Sequence, residues 1–147
     1  MKIVVTGGAG FIGSNLAREL LGRADVDHVV AFDNLSTGNR ANLDGVGADL
    51  MVETVLDPDA LDRAFDGANA VVHLAALPSV PRSVLDPVAS HHANATGTLE
   101  VLQAARRAGT IPVVVASSSS VYGANRELPK RESMRTAPIS PYAVSKQ

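Results

Sequence analysis

The sequence lacks several features that would each have pointed to a class of protein. It contains no cysteine, which excludes disulfides, thiolate metal sites and a cysteine nucleophile. Its 13 Lys and Arg residues nearly balance 15 Asp and Glu residues, and the net charge of -2 provides no field that would attract nucleic acid or an anionic membrane. No run of about 18 apolar residues is present to span a membrane. We therefore expect a cytoplasmic protein without a nucleic-acid or membrane partner.

What the sequence does contain suits one compact domain. Its 147 residues are 46% hydrophobic, which is enough to build a sizeable core. The residues after Met1 lead from Lys2 through a short apolar run directly into glycines, which does not resemble a secretory signal peptide. The neighbouring His91 and His92 have no carboxylate or cysteine to complete a metal site, so we expect a surface or interface pair and no metal.

The amino-terminal stretch organises the rest of the chain. Residues Lys2 to Thr6 (KIVVT) are apolar and rich in β-branched side chains, which predicts a strand covered on both faces. The glycines that follow fit G-x-x-G-x-x-G through Gly7, Gly10 and Gly13, or G-x-G-x-x-G when Gly8 replaces Gly7. Either pattern predicts a tight turn whose backbone approaches a pyrophosphate at the N-terminus of a helix.

A carboxylate follows at the distance that such a turn requires. Apolar residues at helical spacing predict a helix that stops at Gly22, and residues 28–32 (HVVAF) predict a second strand. That strand ends in Asp33, where a carboxylate binds the hydroxyls of an adenosine ribose. Because the carboxylate would repel the 2′-phosphate of NADP, NAD is the predicted cofactor. Arg40 is the residue that could instead accept that phosphate.

Strand and helix patterns then alternate to the end of the chain. Polar, turn-rich residues 34–47 predict a loop, and residues 77–83, with two prolines, predict a second, fairly rigid loop. Further strands are predicted at residues 50–54, 70–74 and 111–116, with helices starting after Asp57, after Asp86 and near Ser140. The helix after Asp86 is predicted to run unbroken to Gly109. This alternation is typical of an α/β doubly wound parallel sheet of the Rossmann type, which binds ligands at the carboxyl ends of its strands.

A tyrosine and a lysine stand four residues apart after a run of serines. Tyr142 and Lys146 in YAVSK would lie on one face of a helix, and a nearby ammonium favours the phenolate that can act as a general base. Such a pair is common by chance. Its weight here comes from its position after a nucleotide-binding sheet and after Ser117 to Ser120 at the end of a predicted strand.

The motifs taken together resemble the extended short-chain dehydrogenase/reductase family, in particular its NAD-dependent sugar-nucleotide epimerases. Within that group they are most similar to UDP-N-acetylglucosamine and UDP-glucose 4-epimerases. The matching segments span nearly the whole chain and are TGGAGFIGS (6–14), DNLSTG (33–38), HLAA (73–76), SVPRSVLDP (79–87), NATGT (94–98), SSSSVYG (117–123) and SPYAVSK (140–146).

The resemblance implies a role for individual residues. Tyr142 would be the base, Lys146 would bind the nicotinamide ribose and tune Tyr142, and Ser118 would hydrogen-bond the C4 oxygen of the sugar. The sugar contacts implied are Ser79, Ser118, Ser119 and Tyr142. The cofactor contacts implied are Gly7, Gly10, Phe11, Ile12, Gly13, Asp33, Asn34, Ser36, Thr37, Gly38, Val55, Leu74, Ala75, Ala76, Asn94, Tyr142 and Lys146. Pro78 and Thr54 depart from the family pattern, near the sugar and near the adenine respectively.

The implied reaction is epimerisation at C4 of a UDP-hexose or UDP-N-acetylhexosamine. Hydride would leave C4 for NAD, and the resulting 4-keto sugar would rotate and regain the hydride on its other face. Related dehydratases carry an Asp-Glu pair where this chain has Ser119 and Ser120, which argues against dehydration.

Members of this family continue well past the tyrosine-lysine motif. Residues 1–147 are therefore expected to be an NAD-binding domain truncated after that motif, without the carboxy-terminal substrate domain. A non-catalytic NAD-binding fragment is the alternative to an enzyme, and a related dehydratase or reductase is a further one. Relatives dimerise through the long helix, here Asp86 to Ala108, and through the Tyr142 helix, which implies a possible homodimer.

Overall fold

The computed structural model describes residues 1–147. The structure contains five short parallel strands and six α-helices, and both sets are numbered here in chain order. The strands are β1 (Lys2–Thr6), β2 (His28–Phe32), β3 (Asp49–Met51), β4 (Ala70–His73) and β5 (Val113–Val115). The helices are α1 (Phe11–Leu21), α2 (Pro58–Phe65), α3 (Val80–Leu85), α4 (Pro87–His91), α5 (Gly97–Arg107) and α6 (Pro141–Ser145).

The strands form one sheet in the order β3-β2-β1-β4-β5, and every neighbouring pair is parallel. Strand β1, which leads into the glycine turn, lies at the centre of the sheet between β2 and β4. The strand order reverses direction on either side of β1, so the carboxyl ends of β1 and β4 flank a crevice of the kind that binds ligands in open α/β sheets. The predicted fold class, a doubly wound parallel sheet, is confirmed.

Alternate residues of the central strand pack against opposite layers of helices. Val4 joins a core with Phe65 of α2 and Val101 of α5, all fully buried or nearly so. Ile3 and Val5 join the core on the opposite face. Because the side chains of a strand alternate between faces, an apolar run such as β1 is stable only when both faces are covered. This position fixes the end of β1, and with it the glycine turn, relative to every other strand.

Several helix ends follow the predicted sequence signals. Asp57 caps α2, where its carboxylate accepts hydrogen bonds from the backbone N–H groups of Asp59 and Ala60. Ser140 caps α6 by accepting from the N–H of Ala143. Helix α1 ends before Gly22, as predicted. None of the helices combines the length and apolar character needed to cross a membrane.

Two predicted elements differ from the structure. The segment 77–83, predicted as a loop, contains the start of α3, because the Ser79 side chain caps it and Pro81 fits its first turn. The helix predicted to run unbroken after Asp86 is interrupted by a π-helical turn at His92–Thr96 that separates α4 from α5. The prediction was wrong because periodicity alone carries no sign of a π turn, which accommodates one extra residue and is common at functional sites.

The outer strands are also shorter than predicted. The third strand covers Asp49–Met51 and the fifth covers Val113–Val115, whereas residues 50–54 and 111–116 were expected. Residues 52–54 and residue 116 instead belong to the loops that leave the sheet at the edge of the candidate site.

A candidate cofactor cleft with a tyrosine and a lysine

The glycine turn packs the ends of three strands and one helix together. Gly7 adopts a φ of +70°, and its N–H donates to the carbonyl oxygen of Phe32 at 2.8 Å. A Cβ on Gly7 would lie 2.8 Å from the backbone nitrogen of Ala75, and a Cβ on Gly13 would lie 2.2 Å from the carbonyl oxygen of Gly7. Glycine is therefore required at both positions, because any side chain would push apart backbone segments that are in contact.

Helix α1 begins at this turn with an open amino end. Its N-cap residue is Gly10, no side chain caps the first turn, and the turn contains no acidic residue. Phe11 is 83% exposed and Ile12 is 67% exposed, although both are large and apolar. The free N–H groups and the positive end of the helix dipole suit a phosphate, and the two apolar side chains offer a surface beside it.

The Asp33 carboxylate is held in a fixed orientation at the end of β2. One of its oxygens accepts from the N–H of Ala9 at 3.0 Å, and the other accepts from the N–H of Leu35 at 2.8 Å. Gly38 packs against it, since a Cβ there would lie 2.9 Å from a carboxylate oxygen. Each oxygen still has a lone pair free, so Asp33 could accept two further hydrogen bonds from neighbouring hydroxyl groups.

Tyr142 and Lys146 enter the same cleft from α6. Lys146 is only 9% exposed, and burial lowers the pKa of its ammonium group below the ordinary value for lysine. The hydroxyl of Ser117, just after β5, donates to the carbonyl oxygen of Lys146 at 2.7 Å. The end of α6 is thereby tied to the carboxyl end of the sheet.

A buried histidine lies behind the cleft. His73 is fully buried, its Nδ1 lies 2.6 Å from the Thr6 hydroxyl, and its Nε2 lies 2.9 Å from the Thr98 hydroxyl. Since Thr98 donates its own proton to the carbonyl oxygen of Asn94, it must accept from Nε2, which assigns the Nε2–H tautomer. Burial, followed by the charge of Lys146, lowers the pKa of His73 to about 4. His73 is therefore neutral at pH 7.

The glycine turn, the start of α1, Asp33, Tyr142 and Lys146 line one cleft of about 630 Å³ at the carboxyl ends of the strands. Most of the cofactor residues implied by the sequence lie in its wall, namely Gly7, Gly10, Phe11, Ile12, Gly13, Asp33, Asn34, Ser36, Thr37, Val55, Leu74, Ala75, Ala76, Tyr142 and Lys146. The wall also contains residues that the sequence analysis did not assign to the site, including Glu53, Leu56, Leu77, Ala93 and Ser117. Ser117 had a usable signal, because it follows a strand whose carboxyl end was predicted to face a ligand.

The remaining implied residues lie outside the cleft wall. Asn94 is fully buried behind it, where its side chain binds the N–H of Leu77 at 2.7 Å. Ser118 caps a 3-10 turn by accepting from the N–H of Ser120 at 3.2 Å, and Ser119 is exposed in that turn. Ser79 caps α3 with an unusual φ of +136°. Gly38 supports Asp33 without lining the cleft.

Comparison with known proteins identifies the family. A model of the NAD dependent epimerase/dehydratase family matches residues 3–147, which is almost the whole chain. The chain belongs to this family. The resemblance inferred from the sequence motifs is therefore confirmed, and NAD is the cofactor for which the family is named.

Relatives within the epimerase/dehydratase family include enzymes of more than one kind. A UDP-glucose 4-epimerase of Mycolicibacterium smegmatis is 42% identical over 99% of this chain and 48% of its own length. The solved UDP-N-acetylglucosamine 4-epimerase of Methanobrevibacter ruminantium is 38% identical with a TM-score of 0.90, over 99% of this chain and 46% of that one. A dTDP-glucose 4,6-dehydratase of Streptomyces venezuelae, solved with NAD bound, is 39% identical with a TM-score of 0.92, over 99% and 48%. The chain thus spans about half the length of these relatives.

Proposed function

We propose that the intact polypeptide binds NAD in this cleft and epimerises C4 of a UDP-hexose or UDP-N-acetylhexosamine through a 4-keto sugar. The observation that carries the proposal is the common location of two sets of groups. The glycine turn and Asp33, which suit a dinucleotide, line the same cleft as Tyr142 and Lys146, which suit proton transfer from a hydroxyl group.

The donor set of the cleft fits NAD. The open amino end of α1 would hold the pyrophosphate, and the Asp33 carboxylate would accept hydrogen bonds from the adenosine ribose. The small side chains of Ala75 and Ala76 leave room for a flat ring against the end of β4. Lys146 would bind the second ribose. A 2′-phosphate beside the buried Asp33 would be repelled, which favours NAD over NADP.

The proposed mechanism assigns proton transfer to Tyr142. When bound, NAD supplies the group that accepts a hydride from the sugar and later returns it. Tyr142 removes the proton from the 4-hydroxyl as C4 is oxidised, and it returns a proton to the same oxygen after the 4-keto sugar has turned its other face. The positive charge of Lys146 stabilises the phenolate of Tyr142 in this role. Ser118 is proposed to hydrogen-bond the C4 oxygen, and Ser79 and Ser119 to contact the sugar.

Dehydration is the second reaction known among the relatives. It requires an acid and a base in addition to the tyrosine, because a hydroxyl group must be eliminated from the sugar. This chain has Ser119 and Ser120 where related dehydratases carry Asp and Glu, and a serine hydroxyl is a poor acid or base at neutral pH. The proposal is therefore epimerisation. A non-catalytic NAD-binding module is the remaining alternative.

We further propose that two copies associate through the outer faces of α4, α5 and α6. Large apolar side chains are exposed on these helices, among them Val88, Leu99 and Val144. Monomeric proteins rarely expose large apolar patches, and such patches often mark protein–protein contacts. Sedimentation of the intact polypeptide should give the mass of a dimer, and Leu99→Asp should reduce it to the mass of a monomer.

The function is tested by incubating the intact polypeptide with UDP-glucose and, separately, UDP-N-acetylglucosamine. We expect at least one to be converted to its C4 epimer without added cofactor, because NAD is regenerated in each cycle. Formation of a 4-keto-6-deoxy product would identify a dehydratase instead. Tightly bound NAD with no conversion of either sugar would favour the non-catalytic module.

A further inference from the structure

Both backbone polar groups of Tyr142 are bound by serine side chains. The Tyr142 N–H donates to the hydroxyl oxygen of Ser83 at 3.0 Å, and the Ser145 hydroxyl donates to the Tyr142 carbonyl oxygen at 2.8 Å. Ser83 belongs to α3, which lies 59 residues earlier in the sequence. The peptide groups on either side of the proposed base are therefore held by side chains, one from α6 itself and one from α3.

The direction of each hydrogen bond follows from counting protons. The single proton of the Ser83 hydroxyl is donated to the carbonyl oxygen of Val80 at 2.8 Å, so its oxygen is free to accept from Tyr142. Ser145 uses its proton on the Tyr142 carbonyl and accepts from the side-chain amide of Asn94 at 2.9 Å. Every donor in this set has an acceptor, which is the condition under which a buried polar network holds one geometry.

The serine that holds α6 is buried, and the helix itself is short. Ser83 is fully buried, and α6 contains only the five residues Pro141–Ser145. A helix of this length has little stability of its own, so its position depends on contacts with other elements. Among those contacts, the bond from Ser83 is the only side-chain hydrogen bond from another element to the backbone of Tyr142 itself.

We propose that Ser83 is a positioning residue for Tyr142. By holding the first turn of α6, Ser83 fixes the position of the Tyr142 phenol in the cleft. The proposal rests on the function proposed above, in which Tyr142 is the base. Loss of the Ser83 hydroxyl leaves the part-buried Tyr142 N–H without a partner in the protein, and α6 would shift to find water or another acceptor. A displacement of about 1 Å at a reacting group lowers turnover by up to about 100-fold.

The first test measures the hydrogen bond directly and needs no turnover. Amide hydrogen exchange at Tyr142 is compared in the wild-type polypeptide, Ser83→Ala and Ser83→Cys. The control is Ser90→Ala on the neighbouring helix α4, because Ser90 is equally buried but its hydroxyl has no hydrogen-bond partner. We expect faster exchange at Tyr142 in Ser83→Ala, an intermediate rate in Ser83→Cys, and the wild-type rate in Ser90→Ala. An unchanged rate in Ser83→Ala would overturn the proposal.

The second test separates positioning from simple stability. In Ser83→Ala we expect kcat for epimerisation to fall at least about tenfold with KM and bound NAD unchanged, and Ser83→Cys to recover part of the loss. Equal kcat in Ser83→Ala and Ser90→Ala would overturn the positioning role even if exchange at Tyr142 had changed. If Ser83→Ala does not fold, Ser83→Cys carries the same comparison with Ser90→Ala.

Failure of the proposed function would be distinguishable from failure of this inference. If the wild-type polypeptide converts no sugar, the proposed function is wrong. The position of the Tyr142 ring is then measured by NMR of the tyrosine rings. Tyr122, the other tyrosine within residues 1–147, serves as the internal reference. A shifted Tyr142 ring signal in Ser83→Ala with an unchanged Tyr122 signal would support positioning. An unchanged Tyr142 signal would overturn it.

Discussion

The two ends of the chain reach the same cleft but are held in place by different means. The nucleotide region, residues 2–33, contains the central strand β1, and its glycine turn is positioned by direct backbone contact. The reacting region, residues 113–147, contains a three-residue strand at the sheet edge and the five-residue helix α6. Val114 is 65% exposed there, whereas Val4 and Val5 of β1 are fully buried.

This difference indicates where each region is sensitive to substitution. In the nucleotide region the geometry depends on the absence of side chains, so an added methyl group displaces backbone from the core. In the reacting region it depends on hydrogen bonds that the side chains of Ser83 and Asn94 make with α6, and that Ser117 makes with Lys146 just after it. Side chains added at the close-packed glycines of the first region should reduce stability and cofactor binding together, whereas loss of the hydrogen bonds in the second should reduce turnover alone.

The largest effect is expected at Tyr142. Tyr142→Phe removes the proposed base while keeping the ring, so epimerisation should fall about 10²- to 10⁴-fold. Bound NAD and thermal stability should be unchanged, because the hydroxyl contributes no hydrogen bond to the fold. Tyr122→Phe is the matched control and should retain activity within about threefold. Full turnover in Tyr142→Phe would show that the base is another group.

A change in the nucleotide region should instead affect the fold. Gly13→Ala places a Cβ 2.2 Å from the Gly7 carbonyl oxygen, so the free energy of unfolding should fall by at least about 3 kcal/mol and bound NAD should be lost. In the control Gly22→Ala the new Cβ meets no atom closer than 3.4 Å, and stability should change by less than about 1 kcal/mol. Chemical unfolding provides the measurement. Equal stability of the two variants would contradict the close-contact account.

The stability of the protein should depend on pH through His73, which lies behind the cleft that both regions line. Its native pKa of about 4 is below the unfolded value of about 6.5, so the unfolded chain binds a proton that the native protein does not. The free energy of unfolding should therefore fall by about 3 kcal/mol as pH decreases from about 6.5 to about 4. Above about pH 6.5 the stabilisation from neutral His73 is fully present. In His73→Gln this part of the pH dependence should disappear. Urea unfolding across the range would measure it, and identical pH profiles would contradict the assignment.

A smaller effect is expected on cofactor selection. Asp33→Asn removes the charge that repels a 2′-phosphate and weakens hydrogen bonds to the ribose. The preference for NAD over NADP should fall about 10- to 100-fold, the range expected for hydrogen bonds to a charged group. The control Asp44→Asn alters an exposed carboxylate in the following loop and should leave the preference unchanged. Titration with each dinucleotide gives the ratio, which should fall in the Asp33 variant alone.

The sequence predicts the nucleotide region better than the reacting region. The turn after β1 and the exact bounds of β2 followed from glycine spacing and β-branched residues, because backbone geometry there is determined by neighbours in the sequence. The π turn that contains Asn94 left no signal in the apolar periodicity. The hydrogen bond from Tyr142 to Ser83 left no local signal because the two residues are 59 apart in the chain. The 3-10 turn that begins at Ser119 and is capped by Ser118 was not predicted either.

The cleft at the carboxyl ends of β1 and β4 should retain NAD through purification. To measure this, the intact polypeptide is purified without added nucleotide and denatured, and the dinucleotide released is identified, with Gly13→Ala treated in parallel. NAD should be released from the wild-type protein, and none from the variant. Release of NADP, or no dinucleotide and no measurable affinity for NAD in the wild-type protein, would contradict this prediction.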